Sequence, residues 1–169
     1  IESGRNEAAE GYLSKLNEMI IQTQSDVKSG NPVTDIVIGE YKDKCIKTGI
    51  DFTYDFHYPE KGVVDAFDMS IVLFNALQNA CEAAQKIPHG YVSLKAFRKK
   101  NAYIIEITNS CAGRITVEPG KLPATDKDNA QAHGYGLKNI KRIAEKYYGG
   151  INIEPADDTF KLNIMMMLE

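Results

Sequence analysis

Apolar residues along this chain change period several times, and each change marks an element. From about Arg5 to Val27, apolar positions Ala8, Tyr12, Leu13, Leu16, Met19, Ile20 and Ile21 recur at helical spacing with Glu and Lys opposite. That pattern predicts an amphipathic helix ending near Ser29-Gly30. Asn31-Pro32 is a boundary, because proline suits the first position of a helix and disfavours helix in the residue before it. Val33, Ile36, Val37, Ile38, Tyr41, Cys45 and Ile46 then predict a second helix to about Lys47, stopped by Gly49. Ile50 to Phe56 alternates as a strand, and Pro59 to Gly62 reads as a loop. Val64 onward leads into a third helix, with Leu73, Ala76, Leu77, Ala80 and Ala84 as packing positions, ending before Pro88-His89-Gly90.

Beyond that helix the period falls to two. Val92, Leu94 and Ala96 alternate with Ser93, Lys95 and Phe97, so Tyr91–Phe97 and Tyr103–Thr108 form a hairpin around Lys99-Lys100-Asn101. Residues 114–132 carry two prolines and the mixed-charge run 125–129, a segment about the length of an active-site lid. Leu137–Tyr148 predicts a short helix closed by Gly149-Gly150. A last hairpin pairs Ile151–Glu154 with Phe160–Leu168, and puts Phe160, Leu162, Ile164, Met166 and Leu168 on one face. The sum is a two-layer α/β sandwich: a mixed, mostly antiparallel sheet of about five strands, covered by helices on one face.

Composition narrows the function. At 169 residues, 43% hydrophobic and 25% charged, the chain has room for one well-cored domain and an appendage. A net charge of −3 with Lys and Arg scattered argues against nucleic-acid binding as a main role. Cys45, Cys81 and Cys111 lack CxxC or Cys/His ligand spacing, which fits buried thiols in a reducing cytosol better than disulfides or zinc. No run approaches the eighteen or so apolar residues of a spanning helix, and no signal-peptide pattern opens the chain.

Two distant stretches carry the candidate chemistry. In the third helix, Asn75 and Asn79 lie one turn apart on one face, so the Asn79 carbonyl oxygen can meet a metal or a phosphate oxygen. In His133-Gly-Tyr-Gly-Leu-Lys-Asn-Ile140, a Gly-x-Gly turn opens a helix. Unpaired backbone N–H groups and the positive end of the helix dipole make such a turn a place for phosphate.

The order Asn-x-x-x-Asn-Ala-x-x-Ala helix, then strands ending in Asn109-Ser-Cys-Ala-Gly113, then a polar loop, then Gly-Tyr-Gly-Leu-Lys-Asn, resembles the ATP-binding domain of sensor histidine kinases. That domain belongs to the superfamily shared with DNA gyrase, Hsp90 and MutL, and the chain is most similar to peptide-sensing quorum kinases. The resemblance covers roughly residues 30–169 and implies a Bergerat-type ATP-binding fold with ATP and Mg²⁺ as cofactors. It implies residues 1–29 as the C-terminal helix of a dimerisation and phosphoacceptor hairpin; packing on its own domain is the other reading of that helix. Asn79 would be the metal ligand, and Asn75 would touch phosphate or hydrated metal. In the gyrase and Hsp90 relatives a water-activating Glu stands at the place of Asn75, and an amide cannot accept a proton near neutral pH. Slow water attack and transfer to a protein nucleophile follow.

Glu82, a further turn on, is either a contributor or a solvent-facing helix residue. Asn109 stands where the superfamily keeps an adenine-reading Asp, so it can accept from the adenine amino group but without charge. Gly113 would let backbone approach base or ribose. Gly134, Gly136 and the N–H groups of Tyr135, Leu137 and Lys138 would hold the β- and γ-phosphates, with Lys138 either adding charge or facing solvent. Arg114 and Lys127 are weaker phosphate candidates, and His133 reads as a loop bystander.

The helix over 5–27 contains no histidine, and His57, His89 and His133 fall in or beside loops. The resemblance therefore implies an acceptor His upstream of Ile1, no autophosphorylation by this piece alone, and relay to a response regulator. It further implies a homodimer in the full-length kinase, and a cytoplasmic domain whose membrane link lies outside this chain. Two alternatives share these residues: an anti-sigma-factor-type serine kinase, and a degenerate nucleotide-binding dimerisation scaffold.

Overall fold

The structure, a computed structural model, describes residues 11, 14, 26–60, 63–113 and 135–168. The amphipathic helix expected over 5–27 and the lid-length segment 114–132 lie essentially outside the described residues. Between residues 26 and 168 the described residues form, in order, α1 (Pro32–Lys47), β1 (Asp51–Asp55), α2 (Ala66–Ala84), β2 (Tyr91–Lys99), β3 (Ala102–Ser110), α3 (Gly136–Lys146), β4 (Gly150–Ala156) and β5 (Thr159–Met167).

The starts of α1 and α2 have the same local cause. Asn31 Oδ1 accepts from the Val33 N–H at 2.9 Å, with Pro32 at the first helical position. Asp65 Oδ1 accepts from the N–H groups of Phe67 at 2.9 Å and Asp68 at 3.2 Å. Each cap satisfies donors that the first turn leaves without an intrahelical partner, worth about 1 kcal/mol per helix.

The sheet order is β1-β2-β3-β5-β4. β1 pairs with β2 in parallel, and the other three pairings are antiparallel. A parallel pair cannot be closed by a hairpin, so the chain crosses over through α2. α2 consequently runs antiparallel to β1 and β2 and parallel to β3. Its first turn lies at the end of the sheet where the Tyr103 hydroxyl donates to the His57 carbonyl, at 2.6 Å. Its last turn lies at the end that holds Tyr91, Asn109 and Ser110, where the Tyr91 N–H donates to Ser110 Oγ at 3.0 Å.

One face of the sheet makes the core. Val92 and Leu94, Tyr103, Ile105 and Ile107, and Leu162, Ile164 and Met166 are buried from consecutive strands beneath Met69, Leu73, Leu77 and Ala80 of α2 and Ile140 and Ile143 of α3. The period-two pattern in β2, β3 and β5 is thus a record of which side meets the helices. The other face carries polar pairs such as Lys161 Nζ to Glu106 at 2.8 Å. The α/β sandwich expected from the sequence is the fold observed.

One ending differs from expectation. Helix α3 closes not on glycine but on Tyr148, which holds the left-handed conformation at φ 53. The Tyr148 N–H donates to the Glu145 carbonyl at 3.1 Å and the Gly149 N–H to Ala144 at 2.9 Å, the paired bonds of a Schellman motif. Gly149 is needed for another reason: a Cβ there would overlap the Met165 carbonyl of β5.

Candidate functional site

Helices α2 and α3 lie antiparallel, and polar contacts fix their register at one end. At the start of α2, Asp68 Oδ2 accepts from the Tyr147 hydroxyl at 2.6 Å and from Lys146 Nζ at 2.5 Å. The same hydroxyl accepts from the Asp65 N–H at 3.0 Å. Asn75 and Asn79 lie about 10 and 16 Å further along α2, and Gly136 lies about 16 Å back along α3 from Tyr147, at 1.5 Å per residue. The two stretches separated by some sixty residues in sequence are therefore brought together.

Gly136 is the contact point. A Cβ on it would stand 3.2 Å from Asn79 Nδ2 and 3.4 Å from Asn75 Oδ1. Glycine is what lets the first turn of α3 approach both amides. Asn75 is held by its own helix, its Nδ2 donating to the Ile71 carbonyl at 2.8 Å, and this turns Oδ1 toward α3. Both asparagines are half-buried.

The start of α3 is built unlike the other two. Tyr135 occupies the cap position and supplies no side-chain hydrogen bond. The first ladder bond runs from the Asn139 N–H to the Tyr135 carbonyl, at 2.8 Å. The N–H groups of Gly136, Leu137 and Lys138 thus precede the ladder at the positive end of the helix, with no side-chain cap among the described residues. Lys138 is exposed, its Nζ 5.6 Å from the centroid of the exposed Tyr135 ring.

The remaining candidates divide. Asn109 ends β3 on the core face and is buried; its Nδ2 donates to the Ser110 carbonyl at 2.9 Å, and its Oδ1 accepts from none of the described residues. It shares the end of the sheet over which the C-terminal half of α2 lies. Gly113 adopts φ 68 just beyond it. Glu82 lies on the Asn75 stripe of α2, three residues beyond Asn79, and accepts from Gln78 Nε2 at 2.9 Å. Gly134, His133, Arg114 and Lys127 fall outside the described residues. Among the described residues no group of three or more His, Cys, Asp or Glu could hold a metal. A cation at this place would rest on the Asn79 amide and on ligand oxygens, which magnesium accepts.

Sequence reading missed the residues that set the register: Asp65, Asp68, Lys146 and Tyr147. Asp65 had a signal, an Asp directly before an apolar helix. Asp68 and Tyr147 had none, since their contact spans 79 residues. A cavity of about 320 Å³, lined by residues that include His57, Tyr58, Phe97, Arg98 and Tyr103, lies at the opposite end of β3, about 20 Å from Asn109.

Comparisons with known proteins bear on the family and the fold. The family model described as GHKL domain matches residues 64–167, from the cap of α2 to the end of β5. The chain belongs to the GHKL domain family. Its fold is that of histidine-kinase catalytic domains. The catalytic domain of histidine kinase ThkA superposes with a TM-score of 0.59 at 23% identity, over 78% of this chain and 90% of that one. Histidine kinase AdeS of Acinetobacter baumannii gives 0.58 at 15% identity, over 93% and 75%. A histidine kinase from Burkholderia phymatum gives 0.59 at 16%, over 96% and 78%. No curated protein matches the chain in sequence.

Proposed function

We propose that the chain is the ATP-binding catalytic part of a two-component sensor histidine kinase, with residues 30–169 as the nucleotide domain and residues 1–29 as the end of a dimerisation hairpin. The observation that carries this reading is the contact of Gly136 with Asn75 and Asn79 at a helix start that the Tyr135 side chain leaves uncapped. Family membership and the shared fold support it. Bound Mg²⁺-ATP would supply the phosphoryl group and the cation that neutralises its charge. Asn79 would hold the cation through its amide oxygen, and Asn75 would orient the phosphates. The N–H groups of Gly136, Leu137 and Lys138 would bind phosphate oxygens. Asn109 would accept from the adenine amino group through the oxygen that none of the described residues occupies, with Gly113, Gly134 and Tyr135 shaping the backbone around the ligand.

An amide at position 75 cannot act as a general base for water, so phosphoryl transfer to a histidine upstream of this chain, then to a response regulator, is the reaction that suits such a site. The peptide-sensing quorum type, homodimerisation and a cytoplasmic position beneath a membrane sensor belong to the same proposal. Among the described residues no helix is long and apolar enough to cross a membrane. The test joins the chain to its upstream segment and incubates it with Mg²⁺-ATP. Acid-labile, alkali-stable phosphate on a histidine is expected. Phosphate on serine alone, or none alongside measurable nucleotide binding, overturns the kinase assignment.

A further inference from the structure

Cys45 and Cys81 are fully buried, and both lie in final turns, Cys45 of α1 and Cys81 of α2. Their sulfurs stand 2.9 Å apart, across a chain separation of 36 residues. Neither belongs to a cluster of three or more His, Cys, Asp or Glu among the described residues, so the pair lacks the further ligands of a metal centre. Two facing thiols without a metal have one chemistry in common, which is two-electron oxidation. We propose that Cys45 and Cys81 form a peroxide-responsive dithiol that closes to a disulfide and ties α1 to α2, the helix that carries Asn75 and Asn79.

The geometry is close to what the bond needs. The sulfurs must approach by about 0.9 Å to reach a disulfide length near 2.05 Å, a movement within reach of side-chain torsions. Cys45 is the attacking group: the hydrogen bond from Cys81 holds its thiol below the ordinary value, Lys44 assists and burial opposes. Cys81 is pushed the other way, chiefly by the same hydrogen bond and then by burial. Local opening of the two helix ends admits hydrogen peroxide; the Cys45 thiolate attacks one of its oxygens, the O–O bond breaks, and hydroxide leaves to take up the thiol proton as water. The Cys81 sulfur then attacks the Cys45 sulfenic acid, and its proton departs with the hydroxyl as a second water. Two thiols are oxidised by two electrons, and hydrogen peroxide is reduced to two waters. Cys81 and Asn79 are about 200° apart around α2, so the cross-link forms on the face away from the amides.

The test treats the reduced chain with hydrogen peroxide, blocks remaining thiols under denaturing conditions, and measures intact mass and peptide maps. Expected are a species lighter by two hydrogen atoms, a fall in blockable thiols from three to one, and a joined Cys45–Cys81 peptide reversed by dithiothreitol. The melting temperature of the oxidised form should rise, on the order of 10 °C for a closed loop of this length. Cys111→Ser should leave the cross-link in place. Cys81→Ala and Cys45→Ala should each abolish it. Three thiols still blockable after peroxide, or a bridge that runs through Cys111 or between chains, would overturn the assignment.

Discussion

At one end of the α2–α3 pair, Asp68 receives a phenol and an ammonium, the phenol receives the Asp65 N–H, and the Asp65 carboxylate caps its own helix. At the other end, Asn75 and Asn79 meet a glycine, and three backbone N–H groups open a helix that no side chain caps among the described residues. The same two helices thus carry a closed polar network and an open one. A closed network sets register. An open one, half-buried and at the positive end of a helix, is suited to an anionic ligand, because its donors have no partner among the described residues. Stability should depend on the first end and nucleotide affinity on the second, and mutations separate them.

The largest effect is expected at the open end. Asn79→Ala should weaken Mg²⁺-dependent ATP binding by about ten- to a hundredfold, the range of one lost bond to a charged partner. Melting without nucleotide should stay within a few degrees; equal loss of both, or unaltered affinity, removes Asn79 from the site. Gly136→Val adds branched carbon where even a Cβ lies 3.2 Å from Asn79 Nδ2, and calorimetry should show affinity lower by about tenfold.

At the closed end the signs reverse. Asp68→Ala should cost about 2 kcal/mol, or roughly 5 °C in thermal melts, with nucleotide affinity little changed. Most of this belongs to the Tyr147 hydroxyl, since Lys146 is exposed and its ion pair is screened. The network also predicts alkaline behaviour. Burial, then the bond to Asp68, raises the Tyr147 phenol, and the bond to Asp68 raises the Lys146 ammonium. Groups raised in the folded state support it fully below their unfolded values, near 10 for Tyr and Lys. That support is lost as pH climbs through the folded values. Tyr58, which burial first and then Asp65 push up to about 12, extends the loss further. Chemical denaturation between about pH 9 and 12 should show falling stability, with a shallower fall in Asp68→Ala.

The smallest effect lies outside both ends. Tyr148 is 78% exposed and holds φ 53 at a position that favours glycine. Tyr148→Gly should stabilise by about 0.5–1 kcal/mol without touching affinity.

Regular elements were legible in the sequence because each depends on neighbours close in the chain. The alternation in β2 and β5, Pro32 at the start of α1, and the Asn75–Asn79 stripe are properties of local period. The meeting of that stripe with Gly136 was legible only through resemblance, since no local pattern links two stretches so far apart. Asp68–Tyr147 and Cys45–Cys81 escaped for that reason: composition indicated buried thiols, but their adjacency depends on how α1 seats on α2. Gly149 was read as a helix stop because glycine usually serves there, whereas the Met165 carbonyl is what excludes a side chain.

Nucleotide is proposed to bind at the open end. Amide NMR of the labelled chain, titrated with Mg²⁺ and a non-hydrolysable ATP analogue, reads both ends at once. The largest shifts should fall on the N–H groups of Gly136, Leu137 and Lys138 and on the side-chain amides of Asn75 and Asn79, with Asp65 and Tyr147 nearly still. Shifts concentrated at Asp65 and Tyr147, or saturation that leaves Gly136 and Asn79 unmoved, would contradict it.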